Sequence, residues 1–250
     1  MTAAESDPDP ARLEPPWWTP RKSGARRSLS RETIVAAAVR ILRAEGVDGV
    51  SMRRVAAELG TGPASLYAHV ANKDELLELL FDEVVGEVPL PEPDPARWRE
   101  QITRLWTDGH EALSRNGDIA RVILGRVPMG PNAMRMSEFT LTLLRGAGIP
   151  DQAAAWAIDV VGMYVSASAI ENAVTVDLAR EGRDPEQYYG MVCRFFASLP
   201  PEEFPATTSL GDALGRGSRE ERFAFGLDVI LRGLAALVPA DRADRPGERP

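Results

Sequence analysis

The sequence predicts an all-α protein: a small N-terminal domain of three helices containing a helix-turn-helix, then a larger C-terminal helical domain. Three observations carry this. Apolar residues recur at helical spacing from Ile34 to Val238, and no segment alternates in the manner of a strand. Pro89, Pro91, Pro93 and Pro95 interrupt the pattern and mark the domain junction. The expected divisions are an arm over 1–28, a first domain over 29–88, a second over 94–238 and a tail over 239–250.

Residues 1–28 read as a disordered arm, with five prolines and a basic end at Arg21, Lys22, Arg26 and Arg27. Ser30 suits a helix N-cap, with Leu29 and Ile34 as a hydrophobic staple. Ile34, Ala37, Ala38, Ile41 and Leu42 follow on one face, and Gly46 and Gly49 close the helix. Ser51 caps a second helix with Met52, Val55, Ala56 and Leu59 inward. Gly60 to Gly62 form the turn, and Pro63 opens a third helix expected to reach Val70. A fourth begins at Lys73, with Leu76, Leu77, Leu80, Phe81 and Val84 inward. Beyond the prolines, helices are expected over 95–115, 118–125, 132–146, 151–180, 185–198 and 218–238.

Charge is distributed unevenly. The net charge is −8, yet Arg21 to Lys73 carry ten basic residues against four acidic ones, leaving nineteen against thirty-three elsewhere. A basic segment on an acidic body points to one local anion-binding face. One cysteine, Cys193, cannot form an internal disulfide. The N-terminus has no signal-peptide pattern, and no apolar run approaches the roughly 18 residues of a membrane span. A cytoplasmic protein that makes no use of a membrane is therefore expected. With His69, His110 and Cys193 as the soft ligands, neither a metal site nor another cofactor is expected.

The turn region carries polar groups suited to DNA. Ser65 and Tyr67 stand on the outward face of the third helix, where hydroxyls donate to phosphate oxygens. Lys73 sits at the next helix start, and Arg53 projects from the second helix, where a guanidinium can grip guanine through two bonds. A three-helix domain with scattered polar residues would show part of this pattern. The wording is more specific. The runs Val50-Ser51-Met52-Arg53-Arg54-Val55-Ala56-Ala57-Glu58-Leu59-Gly60, Ser65-Leu66-Tyr67-Ala68-His69-Val70 and Asn72-Lys73-Asp74-Glu75-Leu76-Leu77 resemble the DNA-binding domain of the TetR family. The resemblance implies that Ser51, Arg53, Gly62, Pro63, Ala64, Ser65, Tyr67, His69 and Lys73 line a DNA interface. Tyr67 and Lys73 would meet phosphates, and Arg53 with residues 63–65 would face bases. Pro63 and Ala64 have no side-chain donors, which leaves Arg53 as the main hydrogen-bonding reader.

The second domain resembles the ligand-binding and dimerisation half of the family's tetracycline-repressor-like class. The matching phrases are residues 122–128, 143–149 and 225–231. The resemblance implies a homodimer through helices 151–180 and 218–238, and a repressor released from a palindromic operator by a small hydrophobic effector. Candidate pocket residues are Ile102, Trp106, His110, Ile123, Met129, Met134, Phe139, Met163, Tyr164 and Glu171. Met and aromatic side chains make adaptable apolar cavities, although each residue also suits a plain core. The repressor that gives that class its name binds its drug as a magnesium chelate, through a histidine in its version of the 122–128 phrase. Ile123 takes that place here, so neither magnesium nor tetracycline is expected.

No nucleophile, phosphate-loop or metalloprotease phrase is present, and an enzyme is not expected. An activator, or a small-molecule-binding protein without sequence-specific DNA binding, stays open on sequence alone.

Overall fold

The computed structural model describes residues 29–239, except 117, 118, 125, 181 and 183. The arm over 1–28 and almost all of the tail over 239–250 lie outside the described residues. Among the described residues, all regular structure is helical.

The first helix, α1 (Arg31–Gly49), starts where Ser30 Oγ accepts the Thr33 amide at 3.2 Å. Gly46 breaks it at φ 76°, a left-handed conformation that glycine enters cheaply, and one more turn follows. Helix α2 (Met52–Glu58) is capped by Ser51, whose Oγ accepts the Arg54 amide at 3.1 Å. Gly60, at φ 64°, makes the turn into α3 (Pro63–Leu66). The expected helix to Val70 is shorter. After Leu66 the chain tightens, with both the His69 and Val70 amides bonded to the Leu66 carbonyl. It must then extend so that Asn72 can cap α4 (Lys73–Val85). Asn72 Oδ1 accepts the Glu75 amide at 2.8 Å, and Glu75 accepts the Ala71 amide in return. Ile34, Ile41, Leu42, Leu66, Leu76 and Leu80 fill the core of this domain.

A 3₁₀ turn over Pro95–Arg97 leads into α5 (Trp98–Arg115). Then come α6 (Ala120–Ile123), α7 (Pro131–Gly146), α8 (Asp151–Arg180) and α9 (Pro185–Ala197). Two short helices, α10 (Pro205–Ser209) and α11 (Gly211–Leu214), were not legible in the sequence, being too short for an apolar period. The last, α12 (Arg219–Ala235), opens on a capping box between Ser218 and Glu221. Helix α8 runs through the centre of the second domain and packs on α5, α6, α7 and α12.

One sequence expectation needs correction. Within α8, Asp151–Thr175 is long and apolar enough, by length and composition, to cross a membrane, with a window of mean hydropathy 1.5. The acidic residues Asp151, Asp159 and Glu171 are spread so thinly along it that an 18-residue apolar window fits. Its inner face, which includes Ala154, Ala157, Val161, Val165 and Ala169, is core.

Candidate nucleic-acid interface and its link to the second domain

Two adjacent arginines on α2 have different fates. Arg54 is tied down, donating to Glu45 at 2.7 and 3.0 Å and to Glu58 at 3.0 Å. Those carboxylates hold its guanidinium more firmly in the charged form. Arg53 is exposed and, among the described residues, takes no part in an ion pair. Its fork is therefore available for a base or phosphate.

The turn presents the remaining groups. Gly62, Pro63, Ala64 and Ser65 are all exposed at the start of α3, while Leu66 is anchored in the core. Tyr67 is 44 % exposed, which is high for an aromatic ring in a small domain. His69 is half-buried, and Lys73 is exposed at the first position of α4. Ser51 is half-buried, with its hydroxyl already committed to capping α2. Exposed Arg53, the 62–65 tip, Tyr67 and Lys73 thus come from α2, the turn, α3 and the start of α4, elements that pack on one another or follow directly in the chain. Sequence reading missed the Arg31–Glu75 ion pair at 3.6 Å, which ties the start of α4 to α1.

Helix α4 connects this surface to the second domain, packing on α5, α6 and α7. Arg126, after α6, pairs with Glu78 at 3.4 Å and lies 3.9 Å from Asp74. Near the other end, buried Asp82 caps α7: its Oδ1 accepts the amides of Asn132 and Ala133, each at 3.0 Å. Asn132 Nδ2 returns a bond to the Asp82 carbonyl at 3.0 Å. Burial pushes the Asp82 carboxyl above its ordinary range, and the α7 amides pull it back down. Past α4, Glu87 accepts from Arg43 of α1 at 2.5 Å, and Arg43 also donates to buried Asn116 at 2.7 Å.

The candidate pocket residues fall into two sets. Ile102, Trp106 and His110 form a buried stripe on α5, and Ile123 and Phe139 are buried on α6 and α7. Tyr164 is half-buried on α8 and donates to the Phe223 carbonyl at 3.0 Å. Glu171, also half-buried, is paired with Arg222 at 2.5 Å. Met129, Met134 and Met163 are instead exposed, and Met163 is in helical register with exposed Trp156 and Val160 on α8. An open groove of about 730 Å³ lies elsewhere, along the outer face of α5 at Trp98, Thr103 and Thr107. His110 Nε2 lies 3.0 Å from Ser168 Oγ and 3.3 Å from Asn172 Nδ2. Its ring stacks on Phe223 at 4.0 Å. Burial lowers its pKa and favours the neutral ring. Sequence reading missed Ser168, Asn172 and Phe223, which lie about 60 residues or more along the chain from His110. Ile123, buried on α6, offers only hydrocarbon.

An exposed helix-turn-helix surface, joined through a shared helix to a larger helical body, defines a DNA-binding regulator of transcription. The chain belongs to the TetR family. Residues 34–80 match the model for bacterial regulatory proteins of the tetR family, and residues 90–238 match the tetracyclin repressor-like C-terminal domain. The chain is 35 % identical over 245 residues to the HTH-type transcriptional repressor DrrR1 of Streptomyces coeruleorubidus, spanning 94 % of this chain and 87 % of that one. Apo ActR of Streptomyces coelicolor superposes with a TM-score of 0.77 at 40 % identity, over 84 % of this chain and 96 % of that one. ActR in complex with actinorhodin matches at 0.77 and 39 %, over 85 % and 98 %.

Proposed function

We propose that this regulator is a cytoplasmic repressor, bound as a homodimer to a palindromic operator and released by a small, largely apolar effector. The observation that carries the proposal is the double attachment of α4. Its first turn belongs to the reading head through Asn72, Lys73 and Glu75. Its later turns are bonded to α7 through Asp82 and to the post-α6 loop through Arg126. A shift of α6 or α7 around an effector would tilt α4 and carry the head with it. The names of the relatives agree: DrrR1 is a repressor, and ActR is found with actinorhodin bound.

In this reading Arg53 contacts a base edge, and Tyr67 and Lys73 hold phosphates. Pro63, Ala64 and Ser65 approach the groove, with Gly62 allowing close approach and Ser51 and His69 at the margins. Residues 29–88 form the reading domain and 94–238 the effector and dimer domain. The dimer face is the exposed apolar stripe of Trp156, Val160 and Met163 on α8, with Phe225 and Val229 on α12; Trp156 is 66 % exposed and Phe225 70 %. Large apolar side chains so open to water mark an association surface. Two heads held at a fixed spacing read two half-sites about one helical turn apart.

The test is selection of bound fragments from host genomic DNA, followed by footprinting. The reading expects a protected palindrome and transcription that rises when the gene is deleted. Fragments bound without a shared motif would overturn it, and transcription that falls would make the protein an activator.

A further inference from the structure

The buried stripe of α5 contains one polar atom without a partner. Trp106 is 8 % exposed, and its Nε1–H meets no acceptor. Leaving a buried donor unpaired forfeits its bond to water, and native interiors contain few such groups. One turn further along the same face lies His110, 6 % exposed and bonded through Nε2 to Ser168 and Asn172. The His110, Phe223 and Tyr164 rings lie nearly parallel, with centroids 4.0 and 5.6 Å apart and interplanar angles of 16° and 8°. A buried, unpaired donor therefore lies one helical turn from His110, whose ring belongs to a tier of flat rings flanked by short polar side chains.

We propose that Trp106 is an effector-specificity residue, whose indole N–H is held for a carbonyl oxygen of a planar aromatic effector lying against the ring tier. This deepens the effector part of the reading above and rests on it. An aliphatic ligand would fill space but leave the N–H unpaired. A carboxylate would place a charge among buried groups, and the Arg222 guanidinium at the edge of the ring tier is already paired with Glu171. A neutral carbonyl meets the donor without that cost. A site built around one such bond rejects the analogue that lacks it.

The test uses the full chain with 1,8-dihydroxyanthraquinone and anthracene as probes. In a ¹H–¹⁵N spectrum the chain has five indole N–H signals, and Trp106→Phe identifies the relevant one by its loss. The proposal expects that signal to move downfield with the quinone and to stay in place with anthracene. Trp106→Phe should weaken quinone binding about 3- to 30-fold more than it weakens anthracene binding. Should the variant fold poorly, the wild-type signal decides alone. An unmoved signal with quinone bound, equal losses for the two probes in folded Trp106→Phe, or no quinone binding would each overturn the proposal. Operator affinity measured on the same samples separates the two readings. Quinone bound at Trp106 without operator release supports the site and refutes the effector mechanism.

Discussion

Replacing Asp82 by alanine tests the link between α4 and α7. The Asp82 carboxylate accepts two amides at the start of α7, each at 3.0 Å, and is 5 % exposed. Alanine leaves both amides without their acceptor in a site that excludes most water. Hydrogen bonds to a charged group contribute about 1.5–3 kcal/mol each. The desolvation that raises the Asp82 pKa offsets part of that sum, so a net loss of about 2–4 kcal/mol is expected. In a chain of this size each kcal/mol lowers Tm by about 2–4 °C. Calorimetry or urea unfolding reads the stability, and anisotropy with labelled operator reads the coupling. Gly130→Ala strikes the same link from the other side, because a Cβ there would collide with the Asp82 carboxylate. Both variants should weaken operator binding or blunt its release at temperatures where they remain folded. A loss below about 1 kcal/mol with unchanged operator affinity would refute the idea that Asp82 ties the domains together.

Four further outcomes follow from the geometry. Arg53→Ala should weaken operator binding by about 1–3 kcal/mol and relax preference at one base pair per half-site, whereas an equal loss on all sequences would remove its base-reading role. Arg54→Ala, whose guanidinium is held by Glu45 and Glu58, should change specificity little in the same titration. Val160→Arg places a charge in the α8 stripe and should shift sedimentation from dimer to monomer, with operator affinity lost in parallel; a persistent dimer would exclude that face. Burial lowers the His110 pKa below its ordinary 6.5, so the unfolded chain binds more protons as pH falls through that value. The His110 contribution is present above pH 6.5 and lost on acidification through the folded pKa, and His110→Gln should flatten the fall in stability as pH drops below 6.5. One proton accounts for at most about 1.4 kcal/mol per pH unit, and an unchanged slope would contradict the assignment.

What was legible in the sequence was local. Ser30 and Ser51 are cap residues beside apolar periods, and the helices start at them; the start of α4 at Lys73 was legible, but its Asn72 cap was not. The length of α3 was not legible, because its last turn gives way to the extension that Asn72 needs. Arg53 could be chosen for its outward position, but the capture of Arg54 by Glu45 crosses the Gly46 break and needed coordinates. The methionines were ambiguous for a similar reason. Met163 suits a cavity or a surface stripe equally well by type, and only the rotation of α8 puts it outside. Contacts such as Asp82 with Asn132, fifty residues apart, leave no periodic trace in one chain.

The most direct measurement is the affinity of the protein for its genome-selected fragment and for a scrambled duplex of equal length, at one physiological salt concentration, with protomers per duplex counted in the same solution. The account predicts two protomers on the selected site and a preference of about a thousandfold or more. A ratio near one, with affinity set by salt alone, would contradict it.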